Sequence, residues 1–144
     1  PVFCGVGGGL TTGIRSASMA AYVEHQGAYG VVCNSKIGLE TIRDIKSAVE
    51  IPVVYTVISE KMDIQPYLDA GVDILNVSGA ARTPEIVAAL RARYPDMAII
   101  ATGGPTDESI LATIGAGANA ITYTPPSSAS LFAKTMADNR SELE

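Results

Sequence analysis

The sequence predicts an α/β protein built on a parallel sheet that is covered on both faces. Three observations carry this expectation. Six short runs rich in Val, Ile, Ala and Thr recur along the chain, at Val2–Val6, Tyr29–Cys33, Val53–Ile58, Asp73–Ser78, Ala98–Thr102 and Ala120–Thr124. Near-continuous apolar runs of this length mark strands buried on both sides. Each run is followed by a small-residue turn and a helix-like segment. The spacing from run to run, roughly 20 to 27 residues, holds one strand, one loop and a three-turn helix with a right-handed crossover.

The helices follow in order. Ser16 can cap a helix over 17–26 that Gly27 stops. Met19, Ala20 and Val23 give it an apolar stripe. The segment 39–49 places Leu39, Ile42, Ile45 and Val49 on one side, with Arg43, Asp44 and Lys46 outside. Asp63 can cap a short helix ended by Gly71, with Pro66 in its first turn, where proline is tolerated. Thr83-Pro84 reads as an N-cap followed by proline at the first helical position, with Ile86, Ala89 and Leu90 as the apolar face. Thr106 opens a helix carrying Ile110, Leu111 and Ile114. A last helix over 128–140 carries Leu131, Phe132 and Met136, expected to face inward.

Bulk properties narrow the function classes. With 144 residues, 47% apolar and 17% charged, the chain reads as a single β/α domain over 1–144 with a real core. The net charge of −5 and scattered basic residues exclude an electrostatic footprint for nucleic acid. No apolar stretch reaches membrane-spanning length, and no basic-then-apolar leader is present, so a cytoplasmic protein is expected. Cys4 and Cys33 fall within strand-like runs and read as reduced, small apolar residues. His25 is the single histidine, so no metal site is expected. The chain starts at Pro1, directly at a strand, and reads as incomplete.

Side chains alternate along a strand. In the fourth run Leu75 and Val77 share one face and Asn76 and Ser78 the other. The apolar pair should meet helices, which turns Asn76 and Ser78 inward. The same parity turns Val32 and Asn34, Thr56 and Ile58, Thr102, and Thr122 and Thr124 inward. Hydroxyl and amide groups thus gather at one end of an otherwise apolar interior. An interior filled for packing alone would use Val, Ile and Leu there; the plain alternative is that Thr is simply a good strand former. This polarity favours a TIM-type (β/α) barrel with six units visible, completed by upstream strands or by a partner chain. A full barrel has eight units and about 250 residues. An open doubly wound sheet is the alternative. Open sheet edges need covering, so a homo-oligomer is expected.

In either architecture ligands sit at the carboxyl ends of the strands. Two glycine clusters fall there. Gly7-Gly8-Gly9 follows the first run, and Leu10-Thr11-Thr12-Gly13 beyond it reads as a lid or an extension of the site. Gly103-Gly104 follows the fifth run and precedes a helix start, where main-chain amides and the helix dipole favour an anion. Glu60 stands just beyond a strand end and is the candidate general base. Lys61 and Lys36 occupy the same kind of loop and are candidate electrophiles or phosphate partners, or plain solvated lysines. Arg15 and Arg82 could clamp an anion. His25 and Asp73 lie at the opposite end and read as structural.

The stretch from Ala101-Thr102-Gly103-Gly104-Pro105 to Ala120-Ile121-Thr122-Tyr123-Thr124 resembles the last two strands of the ribulose-phosphate-binding barrels. Within that superfamily, Gly27 to Asn34, Leu39 to Lys46 and Ile51 to Val54 resemble the second and third units of the N-acetylmannosamine-6-phosphate 2-epimerases. The chain also resembles small bacterial barrel proteins labelled hydrolases. The resemblance implies a barrel fold and phosphate binding at Gly103, Gly104 and Thr124, and it carries over Asn34. It does not carry over epimerase activity. Ile58 stands where the family has a catalytic lysine, Thr102 where it has a glutamate, and the last strand ends Thr122-Tyr123-Thr124 without the usual glycine.

The expected function is an enzyme acting on a small phosphorylated or anionic metabolite by isomerase, lyase or hydrolase chemistry. Glu60, Lys61 and Lys36 are the catalytic candidates. Gly7, Gly8, Asn34, Thr56, Asn76, Ser78, Thr102, Gly103, Gly104 and Thr124 are the ligand-binding candidates. A non-catalytic ligand-binding or assembly module is one alternative. The other is an FMN-binding oxidoreductase, since Gly7 to Thr12 and Gly103-Gly104 resemble nitronate-monooxygenase-type barrels. The leading reading needs no cofactor.

Overall fold

The computed structural model describes residues 1–123 and 128–141. Strands β1 (Phe3–Gly7), β2 (Gly30–Cys33), β3 (Val53–Val57), β4 (Ile74–Val77), β5 (Ala98–Thr102) and β6 (Ala120–Thr122) alternate with helices. The helices are α1 (Ile14–His25), α2 (Leu39–Ala48), α3 (Gln65–Asp69), α4 (Thr83–Arg93), α5 (Asp107–Gly115) and α6 (Ser128–Ser141), with a 3₁₀ turn at Ala80–Arg82. The strands are parallel and lie side by side in chain order, β1 through β6. A doubly wound sheet reverses its order at a switch point, and this one does not. The sheet curls into an incomplete TIM-type (β/α) barrel.

Strand alternation sorts the side chains as expected. Val31, Cys33, Val53, Tyr55, Val57, Leu75, Val77, Ile99 and Ala101 point outward and are sealed beneath the helices. Phe3, Val32, Val54, Asn76, Ile100, Thr102 and Thr122 line the concave side. The register sets Thr56 opposite Asn76 and Asn76 opposite Ile100.

Helices α1, α3 and α5 end alike. A glycine with positive φ follows each, Gly27 (90°), Gly71 (112°) and Gly117 (110°). The next amide bonds back into the helix: Ala28 to the Val23 carbonyl, Val72 to Tyr67 and Ala118 to Thr113. This closes the free helical carbonyls and turns the chain toward the next strand. In two of the three turns a polar side chain then reaches across to the preceding strand. Asp73 accepts from the Val53 amide at 2.8 Å and from Lys46 Nζ at 2.7 Å. Asn119 accepts from the Ile99 amide at 2.9 Å and from Arg91 at 2.7 Å. Lys46 lies over Gly71 and Arg91 over Gly117, where any added side chain would collide with them. Asp73 is thus the structural cap that its place in the sequence implied.

Several local expectations are corrected. Ser16 is not a cap: α1 starts two residues earlier, Gly13 is its N-cap, and Ser16 sits in the first turn. Thr83 begins α4 but caps a different group, its hydroxyl accepting from the Gly79 amide at 3.0 Å. On α4 Val87 is buried in place of Ala89. Leu111 and Ile114 on α5 are 67% and 49% exposed, and Leu131, Phe132 and Met136 on α6 are 51%, 69% and 40% exposed. Those helices carry apolar faces that the described residues do not cover. Ile58 lies past the end of β3 and is exposed instead of lining the interior.

Candidate functional site

The carboxyl end of the sheet holds a cavity of about 650 Å³ between the β4–α4 and β5–α5 connections. Its rim carries Ser78, Thr102, Gly103 and Gly104, and Ala80, Ala81, Pro84 and Pro105 give it apolar walls. Ala80 holds its main chain at φ 51°, a left-handed conformation that non-glycine residues rarely adopt. A second, smaller space of about 230 Å³ follows the concave face and includes Asn76, Thr102 and Thr122. Thr102 belongs to both. Asn76 Nδ2 donates to Thr56 Oγ1 at 3.3 Å, so these two candidates orient each other.

The Gly103-Gly104 turn is more occupied than its sequence implied. The Gly103 amide donates to the Thr122 carbonyl at 2.9 Å and completes the β5–β6 ladder. Ile121 and Ile110 fill the space beside Gly103, and Ser109 fills that beside Gly104. Thr106 caps α5 in a reciprocal box with Ser109, as its position predicted. The amides of Gly104, Asp107 and Glu108 have no acceptor among the described residues. The carboxylates of Asp107 and Glu108 already complement the positive helix end. Thr124 lies outside the described residues.

Gly7, Gly8 and Asn34 form a separate group. The Asn34 amide donates to the Gly7 carbonyl at 3.0 Å. The Asn34 side chain accepts from the Lys36 amide at 2.9 Å and lies against Gly8, whose φ of 99° also requires glycine. Tyr55 and Tyr67 stack with ring centroids 4.0 Å apart beneath this loop. Their hydroxyls donate to the Ser35 and Ile37 carbonyls, both at 3.2 Å. Burial pushes the Tyr55 phenol pKa up, so it stays a donor. Nothing in the sequence marked this pair, because the residues lie on different elements and face the helix layer.

Glu60 and Lys61 stand on the β3–α3 loop and Lys36 on the β2–α2 loop; none of the three lines either cavity. Glu60 Oε1 accepts from Arg82 Nη2 at 2.6 Å, and Arg82 Nε also reaches Glu85 at 3.2 Å. The Arg82 guanidinium therefore holds the Glu60 carboxyl below its ordinary range. Glu60 Oε2 is shut from solvent and has no hydrogen-bond partner. Cys33 is buried on the helix side of β2, and burial pushes its thiol up to about 12; Cys4 is half-buried.

No family model matches the chain, and no curated protein matches it in sequence. Solved structures do share its fold. One is described as a candidate phosphonomutase from Burkholderia cenocepacia J2315, with a TM-score of 0.66 and 18% identity over 100% of this chain and 70% of the other. A native KDPGal structure matches 76% of this chain and 52% of its own, with a TM-score of 0.60 and 22% identity. Mandelate oxidase with (S)-2-phenylpropionate matches 76% of this chain and 45% of its own, with a TM-score of 0.59 and 16% identity. The chain thus spans about half the length of the last two. At such identities the likeness establishes the (β/α) barrel architecture and carries no activity with it.

Proposed function

We propose that this chain is the site-bearing part of a barrel enzyme acting on a small phosphorylated or otherwise anionic metabolite. One observation carries the reading: the ends of β4 and β5 converge on a cavity of about 650 Å³ that combines apolar walls with Ser78, Thr102 and the Gly104 amide. Concave, mostly apolar spaces with a few converging polar groups are the usual form of a metabolite site, and in this architecture they lie at the carboxyl ends of the strands. In this reading Ser78, Thr102 and Gly104 contact the ligand. Asn76 and Thr56 border it from the concave face. Glu60, with Oε1 held by Arg82 and Oε2 closed to solvent, fixes the neighbouring wall instead of meeting the ligand. Lys61 or Lys36 supplies positive charge from the neighbouring loops. Isomerase, lyase and hydrolase chemistry all suit this set.

The unpaired edges of β1 and β6 among the described residues support self-association. No helix among the described residues is long and apolar enough to cross a membrane. A flavin reading has support from the mandelate oxidase structures, one of which is described with an FMN adduct. Flavin absorbance in the purified protein would favour it.

The test is a thermal-shift screen over sugar phosphates and small carboxylates, repeated on Ser78→Ala and Thr102→Val. A compound that raises the melting temperature of the parent and not of the two variants supports the reading. A stabilising compound that acts equally on all three overturns it, as does a screen in which nothing stabilises the parent.

A further inference from the structure

We propose that the N-terminus of α1 is an oxyanion site, separate from the cavity at β4 and β5. The first hydrogen bond of this helix is Ala17 N–H to the Gly13 carbonyl at 3.2 Å. The amides of Ile14, Arg15 and Ser16 therefore have no acceptor among the described residues. No side chain caps the helix, no acidic residue occupies its first turn, and Arg15 adds a positive charge there. Gly13 cannot help, since its own amide donates to Thr41 Oγ1 at 2.9 Å. A twelve-residue helix with this end concentrates positive potential on three free amides.

Ser16 is the second, independent observation. It is 0% exposed, and its Oγ has no hydrogen-bond partner. A hydroxyl left so in a folded protein is destabilising and calls for a missing partner. Helical side chains lean toward the N-terminus, so this hydroxyl is aimed at the first turn. It faces Gly7: a side-chain carbon there would lie 2.7 Å from Oγ. Ile37 Cδ1 would lie 3.1 Å from the same carbon, so only glycine fits against this hydroxyl. Within the 7–13 loop Gly8 N–H donates to the Thr11 carbonyl at 3.1 Å, and the loop's tip, Leu10, is fully exposed. An oxyanion at this helix end would accept from Ser16 Oγ and the free amides, with the Arg15 guanidinium beside it. The α5 N-terminus offers a contrast, because its own cap and carboxylates already occupy the same role.

The experiment is an amide-resolved NMR titration of the protein with inorganic phosphate and, separately, with acetate. Saturable shifts at Ile14, Arg15 and Ser16, with Gly8 and Thr11 moving as the loop adjusts, are expected for at least one anion. The anion that saturates first names the class. Ser16→Ala removes an unsatisfied hydroxyl, so it folds at least as well as the parent, and it weakens binding by roughly tenfold, the loss of one hydrogen bond to a charged group. Arg15→Gln weakens it a few-fold. Shifts confined to Gly104, Asp107 and Glu108 would overturn this site and leave the β5 reading standing. Shifts at Ile14 to Ser16 that survive unchanged in Ser16→Ala, or no saturable shift at all, would also overturn it.

Discussion

Arg82 holds Glu60 at 2.6 Å, tying the loop after β3 to the turn after β4. The pair braces the β4–α4 connection, which forms one wall of the candidate cavity, from the neighbouring β3–α3 loop, so its state reports on the geometry of that wall. The Glu60 carboxyl is depressed in the fold, chiefly by its hydrogen bond to Arg82. A depressed carboxylate contributes stability above its unfolded pKa of about 4.3 and loses it as pH falls through the lower folded value. In Arg82→Met, carbon-detected NMR should find Glu60 titrating higher than in the parent, shifted toward that ordinary value. The stability gap between parent and variant should be present at neutral pH and vanish in acid. A Glu60 titration that does not move would show that the ion pair does not form in solution.

Gly8 is constrained twice, by a φ of 99° and by the Asn34 side chain lying where a methyl group would go. Gly8→Ala should lose about 2 kcal/mol or more in urea denaturation. Gly9, whose neighbourhood is open, should accept alanine within about 0.5 kcal/mol. Equal effects at the two positions would contradict this account of the loop.

Asp73 and Asn119 do the same job on neighbouring pairs of units, each accepting an amide at the start of the strand before it. Asp73→Asn keeps that acceptor and loses only an exposed ion pair with Lys46, worth at most about 1 kcal/mol. Asp73→Ala leaves the Val53 amide without its partner and should cost about 1–3 kcal/mol. The order of these two effects, read from chemical denaturation, is the check; a reversal would mean that the charge matters more than the amide.

Cys33 sits under the helices with its thiol raised to about 12, whereas Cys4 is half-buried near the open edge at β1. Alkylation of the native protein at mildly alkaline pH should therefore modify Cys4 first and leave Cys33 untouched until the chain unfolds. Peptide mass mapping after timed iodoacetamide treatment reads this directly. Because the unfolded thiol ionises near 8.5 while the folded one does not, Cys33 also makes the fold less stable as pH rises above that value.

Much of the architecture was readable in the sequence, because local rules govern it. Six β-rich runs, the inward parity of Asn76 and Thr102, the Thr106 cap and the role of Asp73 all follow from spacing and residue type. The rest depends on what folding brings together. Glu60 and Arg82 lie 22 residues apart on separate loops, and no periodicity links them. The Gly103 amide was open to an anion on paper, yet pairing with Thr122 engages it. Leu111, Ile114 and Phe132 show which helix faces are apolar, but an apolar stripe does not say whether anything covers it. Ser16 was misread for a related reason: a serine near a helix start resembles a cap until the true first turn is known.

The recurring turns at Gly27, Gly71 and Gly117 make the chain modular. Each joins a helix to the next strand by one local recipe, repeated every second unit, so a block of two units carries its own connectors. Copying one such block onto the free edge beyond β6 would add two strands, and six plus two is the number at which a wall of this kind meets itself.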